Sequence, residues 1–272
     1  MEKELSLQEI HTETLQILEK IISVCQECDA EYFLIYGSLL GAIRHKGFIP
    51  WDDDMDIAML RPSFDTFCQY CHEHEEELYP YKLIDRTNTS DYPYNIPRFC
   101  DLRYRMETEE VPDAGMGMFI DIYPLDGLGT EPEKDKKNIQ VKKKLYLSAA
   151  DYIERGRFHK SKKGFFYSVI RYIVYIWSKM HDVDYFYEKM DELGKKYPLE
   201  TSTYVDCLVW DTTFYLVLKE DCETLIDAEF EGMTVKIPSG YDAMLREYYG
   251  DYMKLPPESK RVPSHGYKLY RK

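Results

Sequence analysis

The chain has 272 residues, of which 44% are apolar and 31% charged. That apolar share is ample for the core of one large domain, or of one domain carrying an insertion. A net charge of −14 excludes a general nucleic-acid binder, because the phosphate backbone would be repelled.

Ser6-x-x-Glu9 has the form of a capping box and predicts a helix from there to about Asp29. The opening MEKELSLQEI is charged and lacks the apolar run of a secretory signal, so a cytoplasmic protein is expected. A strand is predicted over 32–36, then a Gly37-Ser38 turn and a short helix from Ser38. Next, Met55, Ile57 and Met59 alternate with Asp54, Asp56 and Ala58, the period of a half-buried strand. On it Asp54 and Asp56 share a face, roughly 7 Å apart at Cα. A helix over 63–78 and strands at 82–85, 97–105 and 118–123 follow. Residues 131–195 are predicted to be helical with a break at Lys163-Gly164, and short strands are predicted near 204–209, 214–218 and 233–237. A last helix over 240–249 leads into a Pro-rich loop that runs to Tyr267. The order predicts an α/β fold, a mixed sheet layered with helices. The expected parts are a core over 1–130, a helical insertion over 131–200 and a C-terminal part over 201–272 that completes the core.

Seven cysteines, an odd number, point to free thiols in a cytoplasmic chain. Cys25-x-x-Cys28 and Cys68-x-x-Cys71 can be drawn as a zinc site, but each continues an apolar helical stripe, and core packing accounts for them better.

The chemistry is concentrated in Asp52, Asp53, Asp54 and Asp56. Two carboxylates 4 Å apart repel by roughly 4 kcal/mol at an effective dielectric near 20. A fold that gathers them calls for a divalent cation, and oxygen-only ligands select Mg²⁺ or Mn²⁺. A calcium loop fails, since Ile57 stands where it needs glycine and Ser63 where it needs glutamate. Arg44, His45 and Lys46 just upstream suggest a phosphate beside the cation, with Arg44 alternatively pairing a spare aspartate. Trp51 either stacks on a base or plugs the core. Asp121, flanked by Ile120 and Ile122 on an apolar strand, projects from the sheet as a third carboxylate, while Asp126 terminates the next turn. Neutralising Asp56 or Asp121 is expected to relieve repulsion and leave the fold intact.

Strand, Gly-Ser, helix, Asp-x-Asp on a second strand and a lone Asp on a third together resemble the nucleotidyltransferase-like fold, with a long gap between Ser38 and Asp54. That gap carries the sharper likeness. GSLLGAIRHKGFIPWDDDMDIAM resembles the LicD family, bacterial phosphocholine transferases of teichoic acid and lipopolysaccharide related to fukutin and fukutin-related protein. IPRFCDLRYR with GMFIDIYPLDG, and YGDYMKLPPESKRVPSH, agree with it. The resemblance implies that Asp54, Asp56 and Asp121 ligate Mg²⁺ or Mn²⁺, and that Gly37 and Ser38 shape a phosphate turn. It implies that Arg98, where the family often has lysine in a Lys-x-x-Asp pattern ending at Asp101, contacts phosphate. Asp53 and His265 complete the substrate site. The implied reaction moves phosphocholine from CDP-choline, or another CDP-linked alcohol, to a sugar hydroxyl of a lipid-linked glycan precursor. The alternatives are transfer of a nucleotide from a nucleoside triphosphate, and a non-catalytic metal- or nucleotide-binding module.

Between Lys134 and Lys179 the chain carries 13 Lys/Arg against 3 Asp/Glu, a local charge of +10. Within that basic stretch lies GFFYSVIRYIVYIWSKM (164–180), apolar and aromatic, with Arg171 at its middle. It is too short and too charged to span a bilayer. A buried core helix and an interfacial helix, giving peripheral contact with the inner membrane face through 159–181, are the two readings.

Overall fold

The computed structural model describes residues 3–89, 92–108, 114–154, 156–158, 164–210, 213–263 and 266–272. It forms two compact units, Met1–Leu125 with Val217–Lys272, and Asp126–Leu216.

The first unit opens with α1 (Leu7–Cys28). Its capping box is formed: Glu9 N–H donates to Ser6 Oγ at 3.3 Å and Ser6 N–H to Glu9 Oε2 at 2.8 Å. The stripe Ile17, Leu18, Ile21 and Val24 is fully buried, each side chain contributing about 1.5–3 kcal/mol. After it come β1 (Phe33–Leu34), α2 (Tyr36–His45), β2 (Asp56–Leu60), α3 (Arg61–Glu73), α4 (Glu75–Leu78), β3 (Tyr81–Ile84), β4 (Arg98–Asp101), β5 (Tyr104–Thr108) and β6 (Met118–Gly127). The strands run in the order β1-β2-β6-β4-β3. β2 and β6 are parallel; the other neighbours in that order are antiparallel, which makes the sheet mixed. α1 packs on α3, and both lie against the sheet.

Several boundaries differ from the sequence reading. The acidic strand starts at Asp56, so Asp54 lies in the loop before it, and β2 is covered on both faces rather than half-buried. The expected strand 97–105 breaks into β4 and β5, because Asp101 Oδ1 accepts from the Arg103 N–H at 2.9 Å and turns the chain. Cys25 and Cys71 are buried where α1 meets α3, and all seven cysteines are free thiols.

The second unit holds α5 (Pro132–Glu154), α6 (Phe165–Ser178), α7 (Val183–Gly194) and β7 (Tyr204–Asp206). Asp126 and Gly127 of β6 pair with Asp206 and Val205, so Asp126 belongs to a ladder, not to a turn. α5 packs on α6 and α7, with Ala149, Ala150 and Phe186 at the centre. Lys143 is fully buried and donates to the carbonyls of Cys207 and Thr213, both at 3.2 Å. The buried-helix reading of 164–180 fails: in α6 only Ser178 is buried. Lys160, Lys162 and Lys163 lie outside the described residues.

The chain then returns to the first unit as β8 (Val217–Leu218), α8 (Lys219–Glu223), the hairpin β9 (Leu225–Phe230) and β10 (Met233–Pro238), α9 (Tyr241–Tyr249) and β11 (Tyr267–Arg271). β11, beyond the expected Pro-rich loop, pairs antiparallel with β5. Among the described residues no helix is long and apolar enough to cross a membrane.

Candidate active site

Sheet register builds the site. Asp56, first residue of β2, lies opposite Asp121 of parallel β6, and Asp121 lies opposite Arg98 of antiparallel β4. The loop before β2 brings Asp54 to the same point, so Asp54, Asp56 and Asp121 each offer an oxygen within 4.8 Å of the others. Asp52, Asp53 and Asp54 form a second such group that shares Asp54.

Asp56 is 8% exposed, and its Oδ1 is buried without a hydrogen-bond partner. Burial, then the neighbouring carboxylates of Asp54, Asp121 and Asp52, push its pKa well above the usual carboxylate range; a hydrogen bond from Tyr123 opposes them. An orphaned buried oxygen among crowded carboxylates fits a hard divalent cation. Asp54, Asp56 and Asp121 are the residues placed to hold it.

Neighbouring turns fix the carboxylates. Ser38, in the first turn of α2, accepts the Asp56 N–H on its Oγ at 2.9 Å. A Cβ at Gly37 would lie 2.7 Å from Asp52 Oδ2, so glycine there lets that carboxylate keep its position. Tyr36, at φ 48°, holds the left-handed conformation where β1 passes into α2, and its ring meets Tyr123 edge-on at 5.1 Å. His11 Nε2 donates to the Asp52 carbonyl at 2.6 Å while its ring stacks on Phe48. The Tyr267 hydroxyl of β11 donates to the Asp53 carbonyl at 2.7 Å.

Arg98, expected at phosphate, is 6% exposed and donates from Nε to Asp121 Oδ1 at 2.7 Å. The rings of Tyr94 and Phe119 sandwich its guanidinium at 3.7 and 3.8 Å. Burial disfavours its charge, but Asp121 more than restores it, so Arg98 stays a cation. Asp101 is likewise fully buried and held by Arg103. Of the basic trio, Arg44 donates to His45 Nε2 at 2.9 Å and to the Tyr252 carbonyl at 2.7 Å, and pairs with no aspartate among the described residues. Burial and then Arg44 lower the His45 pKa, which leaves its ring neutral and able to accept. Lys46 is exposed and ends α2 in the left-handed conformation. Trp51 is half-buried against the core, with His45 at its edge and Arg261 over its ring. His265 lies outside the described residues.

Sequence reading missed Tyr123, Tyr267 and His11. Tyr123 had a signal, since it stands two residues after Asp121 on one strand face. His11 and Tyr267 had none, because their partners lie 41 and 214 residues away.

The chain is thus an α/β protein with a carboxylate centre between two parallel strands. Residues 29–126 match the family model described as LicD/FKTN/FKRP, nucleotidyltransferase domain. It is 29% identical to the lipopolysaccharide cholinephosphotransferase LicD of Haemophilus influenzae, over 98% of this chain and 99% of that protein. An uncharacterised protein of Rickettsia typhi is 28% identical over 40% of this chain and 25% of its own length.

Proposed function

We propose that the protein is a LicD-type phosphotransferase that moves phosphocholine from a CDP-linked donor to a sugar hydroxyl of a cell-surface glycan precursor. The observation that carries this reading is end-to-end likeness to a cholinephosphotransferase, in a chain whose sheet gathers the Asp54, Asp56 and Asp121 carboxylates. The acceptor is lipopolysaccharide or teichoic acid, built on a lipid carrier at the inner membrane face. Mg²⁺ or Mn²⁺ held by the three aspartates would neutralise the donor diphosphate and orient it.

The acceptor oxygen forms a bond to the choline-bearing phosphorus, the bond from that phosphorus to CMP breaks, and the hydroxyl proton passes to Asp53 or Asp121. Arg98 acts through Asp121: it fixes the carboxylate's plane and balances one of the site's negative charges. Gly37 and Ser38 keep the acidic loop and β2 at the spacing the three oxygens need.

Incubation with CDP-choline, Mg²⁺ and a glycan acceptor tests the reading. Release of CMP with phosphocholine on the glycan is the expected result. Pyrophosphate released from a nucleoside triphosphate, with no CMP from CDP-choline, would replace it with nucleotidyl transfer.

A further inference from the structure

α6 leaves a wide apolar side uncovered. Phe165, Phe166, Val169, Ile170, Ile173 and Ile176 all stand exposed, Phe165 at 86% and Ile173 at 62%. At 3.6 residues per turn they fall on one side of the helix. The opposite side is the packed one: Arg171 Nε donates to the Tyr152 hydroxyl at 2.7 Å, Tyr175 meets the Tyr152 ring, and Ser178 is buried. An exposed apolar patch of this kind marks an interaction surface.

Charge selects the partner. The 134–179 stretch carries +10, so the remaining residues of a −14 chain carry −24. A second copy docking through the same face would bring two such basic stretches together. An anionic lipid surface instead repels most of this protein and attracts this one stretch. The helix is also suited to lie flat: its 14 residues reach about 21 Å, short of the roughly 30 Å needed to cross. Aromatic side chains at its start suit the headgroup layer. We propose that α6 docks the protein on anionic membrane, its apolar side in the headgroup–acyl boundary and the basic stretch it belongs to drawn toward lipid phosphate. Docking does not depend on the transfer reaction.

Co-sedimentation of the full chain with phosphatidylglycerol and with phosphatidylcholine vesicles tests it, alongside Phe166→Glu/Ile173→Glu. Binding is expected to the anionic vesicles at low salt, to weaken as salt rises, and to fall at least tenfold in the double variant. Because both positions are exposed, the variant keeps the wild-type unfolding midpoint. If glutamate lowers it, Phe166→Ser/Ile173→Ser serves instead and weakens binding in the same direction. No binding to anionic vesicles at low salt overturns the proposal, as does undiminished binding by a folded variant. A wild-type dimer that the substitutions convert to monomer, without vesicle binding, assigns the face to a second copy.

Discussion

Asp121 is shared between two strand partners, Asp56 across the parallel pair and Arg98 across the antiparallel one, so a single carboxylate joins the aspartate cluster to a buried guanidinium. The two aspartates therefore have opposite consequences for stability. Asp56 has an orphaned oxygen, while Asp121 has an ion partner.

Asp56→Asn should raise the unfolding midpoint of the metal-free protein at neutral pH while reducing transfer more than tenfold, about 1.4 kcal/mol or more of barrier. The folded pKa of Asp56 lies above its unfolded value. The wild type therefore loses stability relative to the variant as pH rises from about 4 through the folded pKa. Mg²⁺ should restore that loss in the wild type and have little effect on the variant. Thermal melts with and without Mg²⁺ decide it: equal Mg²⁺ shifts in both proteins would remove Asp56 from the cation site.

Asp121→Asn, expected from sequence to be harmless to the fold, should instead destabilise it. It leaves the Arg98 guanidinium buried without its counter-charge, a loss on the order of 3–5 kcal/mol. Arg98→Ala should cost a similar amount, and Arg98→Lys less, since lysine keeps the charge but not the fork or the stacked plane. A double-mutant cycle in urea should give a large coupling energy; additive effects would mean the pair is not energetically joined.

Two glycines of α2 should respond differently to alanine. At Gly41 a Cβ would meet the Gly47 backbone carbonyl oxygen at 2.4 Å, which cannot withdraw, so Gly41→Ala should destabilise despite alanine's helix preference of about 1 kcal/mol. At Gly37 the obstacle is the Asp52 carboxylate, the end of a side chain that can swing away. Gly37→Ala should therefore melt near the wild type yet bind Mg²⁺ more weakly. Unchanged Mg²⁺ affinity would refute the role given to that spacing.

The His72–Asp85 contact, 2.9 Å long, supplies a separate pH dependence. The hydrogen bond that His72 donates to Asp85 raises the His72 pKa above 6.5, against the opposing effect of burial. The pair's contribution is complete below pH 6.5 and fades as pH rises through the folded pKa. Because His72 is partly exposed, the effect should stay below about 1 kcal/mol. Urea midpoints between pH 6 and 8 should decline in the wild type relative to His72→Gln; parallel profiles would leave the contact without energetic weight.

What the sequence made legible was local. Ser6 and Glu9 announce α1, and Asp121 between Ile120 and Ile122 announces a strand with one projecting carboxylate. Asp54 and Asp56 were recognisable as partners, although only Asp56 is on the strand. Pairings set by sheet register were not legible: nothing near Arg98 reveals that β4 places it opposite Asp121. β9 was missed because Ile226, Asp227 and Glu229 face solvent and blur the alternation. α6 shows the reverse limit, since an apolar run looks the same whether it will be buried or left uncovered.

Tyr267 has a consequence for how the protein is made. The strand that carries it pairs with β5, made some 160 residues earlier in the chain, and its hydroxyl secures the loop of Asp53. Synthesis supplies every proposed cation ligand by Asp121, yet the clasp arrives only after the whole second unit has been translated. A nascent chain on the ribosome thus holds its cluster of negative charge without the tyrosine that fastens it. Shortening the protein before Tyr267 would leave it in that unfinished state.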